Sequence, residues 1–126
     1  MAVDKKVLNL ELLKLAGFTC TGGIWSYPDG VDVDNGVPFF PEDFNECLKW
    51  FLPILLKLDA GLRLEYANTS VGDNAYAVIS NAFKPWDTYE NYEFYKRFGD
   101  VEFEATAKTL SMAFCLAVRK LKDAKE

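Results

Sequence analysis

Apolar positions recur at helical spacing most densely over residues 41–58. Phe44, Cys47, Leu48, Phe51, Leu55 and Leu58 follow one another at steps of three, one, three, four and three, which is one stripe of a helix. Pro41, Glu42 and Asp43 suit its first turn: proline has no N–H to leave unsatisfied there, and carboxylates favour the positive end of the helix. Trp50, Leu52, Ile54 and Leu56 widen the apolar arc, so this helix is expected to be covered on more than one side and to be the piece the rest packs around. Pro53 removes a backbone hydrogen bond and predicts a kink or an early stop.

The same spacing predicts a helix over 9–16, capped by Asn9 or starting earlier near Asp4, and closed by Gly17. A long helix is expected over 105–122, where Ala107, Leu110, Phe114, Ala117, Val118 and Leu121 share a face. Residues 24–27 and 31–33 look like short strands around the Pro28-Asp29-Gly30 turn. Residues 62–66 alternate apolar with charged, and residues 75–80 are apolar on both sides. Together they predict an antiparallel hairpin with the second strand central. Residues 83–98 are dense in rings, and a helix over 88–98 is expected, with a β-ribbon as the alternative. The order predicts one α+β sandwich domain over residues 1–126, a mainly antiparallel sheet of about four strands covered by helices.

Composition narrows the function more than the fold. Half the residues are hydrophobic and 15% are aromatic, enough to bury a core and exclude disorder. Lys49, Pro53 and Lys57 interrupt the most apolar run, so no membrane span and no membrane partner are expected. The first residues carry charges where a signal peptide needs an apolar centre, which points to the cytosol. Three widely spaced cysteines read as reduced thiols, with Cys47 and Cys115 on core faces. A net charge of −5 argues against duplex nucleic acid as the main partner. The chain has no histidine, which removes the commonest general base, the usual activator of serine and cysteine nucleophiles, and most zinc sites.

Three features carry candidate chemistry. Asp32 and Asp34 share one side of a strand and could hold a cation loosely, although the loop fails the spacing of an EF-hand; a solvated polar edge is the simpler reading. Cys20, between Thr19 and Thr21 near Gly22-Gly23, is expected to be exposed but has no histidine to activate it. The ring-dense segment is the best candidate binding surface. Trp86, Tyr89, Tyr92 and Tyr95 can stack on bases, while Lys84, Lys96, Arg97 and Arg63 can meet phosphates. The same rings also suit simple packing over an open sheet, or a protein interface.

Several pieces resemble the phage ABA-sandwich domain, a family of small phage and prophage proteins: LLKLAGF followed by IWSYPDG, the helix ECLKWFLPILLKL, and the closing ATAKTLSMAFCLAVRKL. In that family the last helix follows a strand and opens on a Thr-containing turn, which Glu104-Ala105-Thr106 resembles. The aromatic segment 83–98 departs from the family pattern. The resemblance implies a phage origin and the cytoplasm of an infected bacterium, and brings no functional residues. The resulting expectation is a non-enzymatic binder, without cofactor or metal, that counters bacterial defence by sequestering a small nucleotide-derived signal, in a pocket shared between protomers of a homo-oligomer. The alternative is an inhibitor that docks on a host enzyme through its aromatic and acidic surface. A carboxylate hydrolase using Asp32, Asp34 and a divalent ion is a third.

Overall fold

A computed structural model describes residues 4–34, 36–58, 60–66, 75–81, 97–99 and 101–125. Helix α1 spans Lys5–Ala16. A two-stranded hairpin follows, β1 Thr19–Thr21 and β2 Ile24–Ser26. A 3-10 turn, Phe40–Glu42, leads into α2, Phe44–Lys57. Strands β3 (Ala60–Tyr66), β4 (Ala75–Asn81) and β5 (Phe103–Ala107) form an antiparallel sheet in that order, and α3 spans Leu110–Lys125. The architecture is α+β, as the spacing predicts, but the described strands divide into a pair and a triplet where one sheet of about four is expected.

Helix α1 begins at the earlier of the two expected points. The Asp4 carboxylate accepts from the N–H groups of Lys6 (2.9 Å) and Val7 (3.3 Å), satisfying donors that the first turn leaves open. Asn9 is not a cap. It is buried, donates to the Pro38 carbonyl at 3.0 Å and accepts from the Phe40 N–H at 2.8 Å, tying the chain before α2 to α1. Gly17 closes the helix at φ 102°, and the ring of Pro28 lies 3.1 Å from where a Cβ would stand.

The Pro28 turn folds back as expected: the Tyr27 N–H reaches the Val31 carbonyl at 2.8 Å. Its second strand reduces to a single bridge between Ser26 and Asp32. The full partner of Ile24–Ser26 is Thr19–Thr21, joined to it through the Gly22-Gly23 turn.

Helix α2 starts one turn later than the spacing suggests, because Phe40–Glu42 makes a tighter turn and Asp43 caps the helix by accepting from the Glu46 N–H at 3.2 Å. It continues through Pro53 to Lys57. Phe51 and Leu55 are buried on either side of the proline. Burying such side chains stabilises by about 1.5–3 kcal/mol each, enough to offset the lost backbone bond. The helix is covered along its Cys47–Phe51–Leu55 face and, through half-buried Trp50 against Phe18 and Tyr27, on the adjoining side, while Leu52 and Leu56 are exposed, Leu56 at 73%.

The element most enclosed by the others is α3. Its Ala113, Phe114, Cys115 and Ala117 are fully buried, and it packs on the sheet, on α1 and on α2. Its start corrects the expectation, because residues 105–107 belong to β5. Ala105 and Ala107 are apolar at strand parity, and Thr109 opens the helix by accepting from the Met112 N–H at 3.2 Å. Phe51 and Phe114 meet at 6.3 Å between centroids, and Phe40 sits edge-on to Phe51 at 4.9 Å. Leu8, Leu12, Leu13 and Ile79 complete this centre. Of the ring-dense segment, Arg97 and Phe98 are helical and the residues before them lie outside the described ones.

Candidate functional site

Strand parity gives the three-stranded sheet two unlike faces. Ala75, Ala77 and Ile79 stand beside Ala107, Ala105 and Phe103, and all six join the core. On the other side, Arg63 pairs in register with Val78, which pairs with Glu104, while Glu65 pairs with Tyr76, which pairs with Thr106. Arg63, Glu65, Glu104 and Thr106 are exposed, whereas Val78 is buried without belonging to the core cluster.

Four of these side chains are linked. Arg63 Nε lies 3.2 Å from Glu65 Oε2, and the Arg63 guanidinium sits over the Tyr76 ring at 5.8 Å. The Tyr76 hydroxyl donates to Glu104 Oε2 at 2.6 Å. That bond is the chief reason the Tyr76 phenol is held above its ordinary pKa of 10.0, with partial desolvation and the Glu104 charge adding to it and Arg63 opposing it. The face therefore offers a planar cation on a ring, a neutral phenol donor and two carboxylates. That inventory recognises a surface or a ligand by charge and hydrogen bonding.

Of the eight residues expected to bind ligand, Arg63 and Arg97 are among the described ones, and Arg63 lies on this face. Arg97 is exposed in the short helical stretch before Gly99. Trp86, Tyr89, Tyr92, Tyr95, Lys84 and Lys96 lie outside the described residues. Tyr76, Glu65 and Glu104 were not singled out by sequence. The alternation of residues 62–66 marks Glu65 as outward, but only the register of β4 with β5 brings Tyr76 to Glu104.

The other candidates resolve differently. Asp32 accepts from Ser26 Oγ at 3.2 Å, and no cluster of three metal-ligating side chains occurs among the described residues. Cys20 is exposed on β1. Cys47 and Cys115 are buried, with sulfurs 3.7 Å apart, and the Cys47 thiol also donates to the Phe40 carbonyl at 3.1 Å. The Cys47 contact, then burial, pushes the Cys115 thiol far up, which leaves it inert as a nucleophile. Buried Phe18 and half-buried Tyr27 and Trp50 form a ring cluster, with Phe18 edge-on to Trp50 at 4.7 Å, that fastens the hairpin to α2. An apolar cleft of about 380 Å³, its open mouth included, lies between Leu15, Ile54, Leu58, Phe98 and Leu121, with Lys122 at its edge.

No family model, curated protein or solved structure matches the chain. The likeness to the phage proteins therefore rests on the sequence pieces alone. Among the described residues, no helix is long and apolar enough to cross a membrane.

Proposed function

We propose that this protein acts by binding and not by catalysis, and that its contact surface is the polar face of the three-stranded sheet. The observation that carries this reading is the linked row Glu65, Arg63, Tyr76 and Glu104, its three charged members exposed and Tyr76 half-buried, on a sheet face whose opposite side holds the core. Glu65 already neutralises Arg63, and Glu104 adds a second carboxylate, in a chain of net charge −5. Such a face suits a protein partner with a basic contact surface better than it suits a phosphate. Given the resemblance to phage proteins, that partner would be a host defence enzyme. A pull-down from bacterial lysate should then return a stoichiometric protein that added salt releases and that the Glu104→Lys variant fails to hold. Recovery of no protein partner at low salt counts against the reading.

A second reading keeps the small nucleotide-derived ligand, and the Arg63–Tyr76 stack favours it, because such a platform also accepts a base. It needs the tyrosines and lysines of residues 84–96 as well. Calorimetric titration with cyclic oligonucleotides and ADP-ribose derivatives separates the two. Micromolar binding that Arg63→Ala weakens supports the ligand, and no heat from any of them removes it.

A further inference from the structure

The sheet has two edges, and the chain treats them differently. At β5, the Lys120 ammonium donates to the Glu104 backbone carbonyl at 2.6 Å, so a lysine from α3 occupies that edge. Lysine at an edge is a common way to prevent further strand pairing. Among the described residues, strand β3 carries no such guard. It is seven residues long, keeps an unbroken register with β4 and contains no proline and no lysine. Among the described residues it pairs on one side only.

The sequence of β3 is complementary to itself. Two copies placed antiparallel about Leu64 set Arg63 opposite Glu65 and Leu62 opposite Tyr66, with Leu64 against its own copy. Charged residues then meet opposite charges on the polar face, and apolar residues meet apolar ones on the other. Shifting the register by one residue would set the two faces against each other. Apolar surface is available for such a contact: Tyr66 is 56% exposed, and Leu62 and Leu64 are only half-buried. The existing Arg63–Glu65 bridge is solvent-exposed, so exchanging it for a pair between protomers costs little.

We propose that β3 is a self-association edge, which pairs antiparallel with β3 of a second copy across a two-fold axis at Leu64 and joins the two triplets into one continuous sheet. The pairing is isologous and closes at two copies, because among the described residues each three-stranded sheet has one such edge. It would make the polar faces of the two protomers continuous, and it does not depend on what those faces bind.

Sedimentation and light scattering of the full chain, from low to high micromolar concentration, test this directly. The expected mass is that of two chains, with the β3 amides gaining protection from hydrogen exchange as concentration rises. R63E sets like charges opposite each other and should weaken dimerisation by about tenfold or more. The double variant R63E/E65R restores the opposite pairing and should restore the dimer, with circular dichroism confirming that each variant folds. A wild type with single-chain mass at the highest concentration overturns the proposal. So does a dimer indifferent to R63E, or a folded double variant that stays monomeric.

Discussion

Tyr76 and the cysteines show how single groups report their surroundings. Tyr76 donates to a carboxylate, so losing its proton sets two negative charges side by side. The folded-state pKa is raised, so the stability this bond contributes is complete below pH 10.0 and is lost as pH rises through the folded value. In ultraviolet difference titration, Tyr76 should therefore ionise after an unperturbed phenol, and Glu104→Gln should move it back toward 10.0. Unchanged titration in that variant would discard the assignment. The thiols should divide by burial. Cys20 should react at once with a disulfide reagent, while Cys47 and Cys115, packed sulfur to sulfur, should react only on unfolding. Equal reactivity of all three would contradict the packing.

Element ends make sharper demands than element interiors. Gly17 combines a left-handed φ of 102° with the Pro28 ring 3.1 Å from any added Cβ. Gly17→Ala should cost about 1–2 kcal/mol from the backbone alone, and more if Pro28 cannot shift. Thr109 caps α3, the helix most enclosed by the others, so Thr109→Ala should lower stability by about 1 kcal/mol. Asn9 serves two backbone groups from inside α1, and Asn9→Ala strands a Phe40 N–H and a Pro38 carbonyl near the core. Leaving such groups unsatisfied costs about 1–3 kcal/mol each, so this variant should be the least stable of the three. Denaturant titration ranks them, and an Asn9→Ala protein as stable as wild type would show that water replaces both bonds.

At the scale of the whole molecule, α3 packs against the sheet, α1 and α2, so no described helix or sheet strand has a core of its own. Unfolding should be a single cooperative transition, with far- and near-ultraviolet circular dichroism coinciding. Separate transitions would mean that the hairpin, held by the Phe18–Tyr27–Trp50 cluster, folds apart from the rest.

The stripe Cys47, Phe51 and Leu55, the alternation of residues 62–66, the apolar strand 75–80 and the Gly17 stop are all legible in the sequence. Each is a local period or a backbone requirement carried by neighbouring residues. What the periods left open is choice of partner. They could not show that Ile24–Ser26 pairs backward with Thr19–Thr21, that Ala105 and Ala107 serve a strand and not a helix, or that Leu56 stays exposed while α3 takes the centre. Three alanine and threonine positions fit either period, and only packing against β4 selects one. The candidate site was the least legible of all: its Tyr76–Glu104 bond spans 28 residues. A pattern along the chain says which face of a strand is apolar. Which strand lies beside it, and so which side chains meet on the other face, is decided by burying all those faces at once.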